Sequence, residues 1–169
     1  MGEISRDQPV SSQQRAWNAV AEVLDPEVPA LTIEDLGVLR NIDLLTDGTV
    51  EVTITPTYTG CPAMSMFVVD IELSLVKAGF DKIVVKTVLS PAWTTDWLTN
   101  TARKKLLAYG IAPPVGKSSR RALFGEDEVS CPQCKSDDTV LSSEFGSTAC
   151  KALYKCNKCL EPFEYFKCI

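Results

Sequence analysis

The stretch Val50-Glu51-Val52-Thr53-Ile54-Thr55-Pro56-Thr57-Tyr58-Thr59-Gly60-Cys61-Pro62-Ala63-Met64 changes its hydrophobic period in the middle. Val50, Val52 and Ile54 alternate with Glu51, Thr53 and Thr55, the period of a half-buried strand. Beyond Gly60 the apolar residues fall at helical spacing. Met64, Phe67, Val68, Ile71 and Leu75 make one broad face of a helix from about 63 to 78, with Gly79 as its terminator. The next apolar run, Ile83 to Leu89, is a strand. A helical crossover separates it from the strand at 50–55, so the two are expected to lie parallel. Upstream, Val38 to Leu45 precedes Asp47-Gly48, a strong hairpin signal, and an antiparallel pair is expected there.

Two further helices complete the pattern. The first starts at a Ser11 or Ser12 cap and runs to about Leu24, with Trp17, Val20, Ala21 and Leu24 on one face, stopping at Asp25-Pro26. The last runs from about Asp96 to Tyr109 and closes at Gly110. The fold class is therefore α/β: a small α-β-β-α-β-α two-layer domain over residues 10–114, a linker over 115–130 and a four-cysteine ribbon over 131–169. At 169 residues the chain is long enough for one medium domain plus a small stapled module.

Composition excludes several classes. A net charge of −5 argues against a nucleic-acid partner, which needs a clustered excess of Lys and Arg. The one basic run, Lys117 to Arg121, reads as a solvated patch in the linker. The N-terminus carries no secretory signal, and the longest apolar segment, Met64 to Val76, holds Asp70 and Glu72 and falls short of the about 20 residues a membrane span needs. A cytoplasmic location is expected, where seven cysteines are more apt for metal or redox chemistry than for disulfides. The chain has no histidine, which removes Ser–His–Asp and Cys–His catalysis and histidine-ligated metal hydrolysis.

Four cysteines stand in two pairs, Cys131-Pro-Gln-Cys134 and Cys156-Asn-Lys-Cys159, at the spacing of a four-thiolate ribbon. Tetrahedral sulfur suits zinc or a single iron, and structural zinc is the expected occupant. So short a tail needs the metal to fold. Cys61 sits just before a helix, where the N-terminal field favours a thiolate and makes the sulfur a nucleophile or metal ligand. The same position suits a small buried cysteine closing the turn, and spacing does not separate the two readings. Asp25 and Glu27, with Glu34 and Asp35, are acidic loop residues able to supply oxygen ligands or salt bridges near Cys61, although such residues are most often merely solvated. Cys150 and Cys168 lack a CxxC partner; packing is their first reading, additional metal ligation their second. Trp93 and Trp97 serve either a core or an interaction surface.

Asp25-Pro26-Glu27-Val28-Pro29, Asp35-Leu36-Gly37-Val38 and Thr55-Pro56-Thr57-Tyr58-Thr59-Gly60-Cys61-Pro62-Ala63 resemble the α/β domain of iron–sulfur assembly factors of the "domain of unknown function 59" type. Ser90-Pro91-Ala92-Trp93-Thr94-Thr95-Asp96-Trp97, Gly110-Ile111-Ala112-Pro113-Pro114 and the tail from Ser143 through Ile169 resemble more specifically the PaaD family, accessory proteins encoded with the phenylacetyl-CoA epoxidase. The resemblance implies maturation of that oxygenase in phenylacetate catabolism rather than catalysis. It implies as partners the iron–sulfur reductase and the di-iron oxygenase subunit, while the charge and the apolar pattern already argue against nucleic acid and membrane. It also places Cys61 at the family's cluster-handling position, with a transient iron or iron–sulfur cluster as cargo. A rubredoxin-like redox component and a non-catalytic docking subunit are the alternatives.

Overall fold

The computed structural model describes residues 11–115 and 129–167. Helix α1 spans Ser12–Ala21, and the Ser11 side chain accepts from the Gln14 N–H at its start. It ends earlier than the expected Leu24. Val23 and Asp25 instead close a loop, with Asp25 N–H donating to the Leu31 carbonyl and Ile33 N–H to that of Val23. That loop buries Val28, Leu31, Ile33 and Leu36.

Strands β1 (Leu39–Leu44) and β2 (Val50–Ile54) pair antiparallel. The Asp47 carboxylate accepts from the Thr49 N–H and hydroxyl, and Gly48 takes a positive φ of 84° that a side chain would resist. Helix α2 (Ala63–Lys77) buries Ala63, Phe67, Ile71 and Leu75 at a spacing of four, while Met64 and Val68 are partly covered at its flank. Strand β3 (Ile83–Thr87) then pairs parallel to β2, as the crossover requires, giving a sheet ordered β1-β2-β3. Helix α1 packs on β1 and α2, and α2 on β3.

The last helix is shorter than its sequence implies. Thr95–Trp97 form a single 3-10 turn, Leu98 is extended and buried, and α3 covers only Asn100–Tyr109. The start moves because the Thr99 hydroxyl caps the Ala102 N–H while the Thr99 N–H donates to the Asp35 carbonyl. Gly110, in the left-handed region, ends it as expected.

After α3 the chain enters a second sheet. Strand β4 (Ile111–Ala112) lies parallel to β7 (Pro162–Phe166), which pairs with β6 (Lys151–Cys156), which pairs with β5 (Thr139–Ser143). A small core of Ala112, Val129, Ala152, Tyr154, Phe163 and Tyr165 lies beside the cysteine pairs. The two sheets are not insulated. Cys150 and Phe166 belong to the core of the α/β layers, where the Phe166 ring meets Trp93. The expected linker lies mostly outside the described residues, but Val129 at its end is buried in the ribbon core.

Candidate metal centre

The two cysteine knuckles fold alike. In the first, Cys131 N–H donates to the Ser136 carbonyl and Lys135 N–H to that of Cys131, and Lys135 adopts a φ of 62°. In the second, Cys156 N–H donates to the Glu161 carbonyl, and Leu160 adopts a φ of 66°. In each case the residue after the second cysteine turns left-handed, which bends the chain back and points both sulfurs to one side. The knuckles then face each other. The Cys131 and Cys159 sulfurs are 3.7 Å apart, those of Cys134 and Cys156 3.5 Å apart, and all four ligand atoms lie within 4.8 Å of one another.

This donor set fits a tetrahedral cation with thiolate ligands. Its electrostatics call for one. The Cys159 and Lys158 N–H groups help pull the Cys156 thiol down to about 6. Although the Glu161 N–H works in the opposite direction, removal from water and the sulfurs of Cys156, Cys134 and Cys131 push Cys159 up to about 12. Four thiolates so close cannot all ionise without a positive charge among them.

Cys61 lies between β2 and α2, half-buried against the main core with Tyr58. Its N–H donates to the Tyr58 carbonyl, and its carbonyl accepts from the Met64 N–H. Burial pushes its thiol up; the Ala63 N–H and the Thr57 hydroxyl pull it down, and the Glu27 and Asp25 carboxylates push it up again. The backbone N–H at the helix start therefore acts in the expected direction, but burial is the largest cause and the net direction is upward.

The acidic residues separate into two groups. Asp25 is buried and its Oδ1 accepts from the N–H groups of Glu27 (2.6 Å) and Val28 (2.8 Å), while half-buried Glu27 is pushed up by burial and by Asp25. Both bear on Cys61. Glu34 and Asp35 do not join them: Glu34 accepts from the Trp17 indole, and Asp35 from Thr32, Thr99 and Lys105. Trp93 is a core residue donating to the Leu36 carbonyl, and Trp97 lies under the Arg40 guanidinium, so neither forms an open aromatic surface.

Cys150 is buried, and its sulfur lies 3.1 Å from the Thr148 hydroxyl. Cys168 lies outside the described residues. One feature carried no signal in sequence: Lys151, only 3% exposed, pairs with Glu164 of the neighbouring strand β7 at 2.9 Å. A lysine in a tail strand ordinarily reads as solvated.

Fold and thiolates together define the class: a small α/β domain of the iron–sulfur assembly type carrying a four-cysteine metal-binding ribbon. Residues 13–84 match the family described as "Iron-sulfur cluster assembly protein", and residues 116–167 match "PaaD zinc beta ribbon domain". The chain is 50% identical over 153 residues to the D component of the "Putative 1,2-phenylacetyl-CoA epoxidase" of Escherichia coli K12, covering 90% of this chain and 91% of the relative. It is 32% identical over 85 residues to an "Fe-S protein maturation auxiliary factor" of Porphyromonas gingivalis, covering 50% of this chain and 80% of that one. A crystal structure of a domain of unknown function 59 from Bacillus anthracis overlays with a TM-score of 0.52 at 24% identity, covering 56% of this chain and 90% of that chain, which bears on the fold alone. The chain belongs to the PaaD family, the D components of the phenylacetyl-CoA epoxidase system. Among the described residues no helix is long and apolar enough to cross a membrane.

Proposed function

We propose that this protein is a non-catalytic maturation factor of the phenylacetyl-CoA 1,2-epoxidase system, acting in the cytoplasm. It holds iron or an iron–sulfur cluster at Cys61 in passage to a client, either the reductase or the di-iron oxygenase subunit. The observation that carries this reading is the setting of Cys61. It is a cysteine at a helix start, in the electrostatic field of the Asp25 and Glu27 carboxylates, in a domain shared with maturation auxiliary factors. Thiolate and carboxylate together suit iron, and a single accessible cysteine is a means of holding cargo for release.

In the ribbon, Cys131, Cys134, Cys156 and Cys159 hold zinc, which ties the two knuckles together and supplies folding energy rather than electron transfer. The experiment is elemental analysis and absorption spectroscopy of anaerobically purified protein, before and after reconstitution with iron and sulfide. A colourless protein with one zinc that acquires colour on reconstitution supports the reading. A protein isolated with one iron in the ribbon, coloured as an iron–thiolate centre, would make it a redox component instead.

A further inference from the structure

Helix α2 has a second apolar stripe that its own core does not use. Phe67, Ile71 and Leu75 are buried, whereas Met66, Val69, Leu73 and Val76 are 52%, 52%, 51% and 57% exposed. These four recur at steps of three, four and three residues, the a/d spacing of a heptad seam. With 3.6 residues per turn, the seam runs down the side of the helix opposite its buried face. The elements packed on α2 are α1 and β3, and neither covers the seam. Contiguous exposed apolar surface of this kind marks a place of association.

The charges beside the seam select its occupant. With Met66 and Leu73 at a and Val69 and Val76 at d, Ser65 and Glu72 fall at g, and Asp70 and Lys77 at e. In two parallel copies in register, each g position faces the e position five residues further along the other chain. Glu72 then meets Lys77 of the second copy, twice by symmetry, and the Ser65 hydroxyl meets Asp70 of the second copy. An antiparallel pairing sets e against e and g against g, which brings Asp70 to Asp70 and Glu72 to Glu72, like charges that repel. Among the described residues neither Glu72 nor Lys77 joins an ion pair within its own chain. Leucine at a with a β-branched residue at d is a pattern that free helices use for larger assemblies. Here the inner side of α2 is buried in its own domain, which leaves one face for one neighbour.

We propose that the outer face of α2 is a self-association surface: two copies of the chain pair through parallel α2 helices, with Met66, Val69, Leu73 and Val76 as the seam and Glu72–Lys77 pairs at its edges. A single 15-residue helix per copy offers less than the about 800 Å² per partner of a standard interface, so the dimer is reversible and concentration-dependent. The inference is independent of the ribbon metal and of the cargo reading, neither of which uses this face.

The test is sedimentation equilibrium of the full chain, its ribbon loaded with zinc, over a range of concentrations, with circular dichroism as the control for folding. Wild type is expected to dimerise with a dissociation constant below about 1 mM. Leu73→Glu, at a half-exposed helix position, should keep the fold and the ribbon metal and weaken association at least about tenfold. Glu72→Lys and Lys77→Glu should each weaken it by setting like charges together, whereas mixing the two variants, or placing both changes in one chain, should restore it. Val69→Gln repeats the seam measurement at a second exposed position. Wild type still monomeric at about 1 mM would overturn the proposal, and loss of co-produced epoxidase subunits from Leu73→Glu in that case would give the face to a client. A dimer unmoved by Leu73→Glu and Val69→Gln, or an assembly of more than two copies, would overturn it as well. A dimer broken by the seam variants yet indifferent to both charge reversals would overturn the parallel register.

Discussion

The ring of Phe166, in the last strand of the ribbon, meets the ring of Trp93, in the loop after β3, edge-on at 6.3 Å between centroids with planes 62° apart. Trp93 is in turn anchored by its indole N–H to the Leu36 carbonyl at 2.8 Å. The two modules are thus joined through an aromatic pair as well as through the β4–β7 strand pairing. Phe166→Ala is expected to cost about 3 kcal/mol or more, the usual range for a buried aromatic truncation. Urea denaturation followed by tryptophan fluorescence checks this, and an unchanged midpoint would show that the modules are energetically separate.

Gly37 explains the Asp35-Leu36-Gly37 motif in backbone terms. It sits at a φ of +69°, and a Cβ there would stand 2.7 Å from the Trp97 Cβ and 2.8 Å from the Trp97 carbonyl oxygen. Gly37→Ala is therefore expected to destabilise by about 2 kcal/mol, combining left-handed strain with a contact against backbone that cannot yield. Thermal unfolding measures it, and a melting temperature within a degree of wild type would contradict the assignment.

The ribbon cage predicts that Cys131→Ser lowers the tail's metal content from about one ion per chain to none and leaves the tail open to protease. Inductively coupled plasma analysis and limited proteolysis read the two effects. A full metal complement with a resistant tail would remove Cys131 from the ligand set.

Asp35 gives a pH dependence of known sign. Burial works against its charge, but hydrogen bonds from Lys105 and Thr32 and the ammonium charge of Lys105 hold the carboxyl below its ordinary 3.8. A depressed folded value means that this contribution is fully present above the unfolded value and is lost as pH falls through the folded one. The stability advantage of wild type over Asp35→Asn should accordingly be constant near neutrality and shrink below about pH 4. Urea midpoints of both proteins from pH 3 to 7 decide it, and an advantage that did not change with pH would rule out the ion pair as its source.

Local chemistry made much of this molecule legible in its sequence. Asp47-Gly48 between alternating strands, Phe67, Ile71 and Leu75 along one helix face, and the paired CxxC spacing each reflect short-range rules, and α2, the hairpin and the cage follow them. The start of α3 was not legible at Asp96 because the cap is Thr99, and that choice depends on the distant Asp35 carbonyl. The setting of Cys150 was hidden for a similar reason. Cys150 is buried in the same core as Phe166 and Trp93, which lie far from it or from each other along the chain, so no window of sequence contains that setting. The net upward direction at Cys61 could not be read in the sequence because helix position is local and burial is not.

The central claim is that Cys61 handles cargo, and the most direct measurement is the iron and sulfide content of reductase and di-iron oxygenase subunits co-produced with either wild-type protein or Cys61→Ala. A half-buried cysteine replaced by alanine should fold and keep its ribbon metal at a cost of about 1 kcal/mol. Clients depleted of iron and an inactive epoxidase are expected beside the folded variant. Fully loaded, active clients produced with Cys61→Ala would contradict a cargo role for this cysteine.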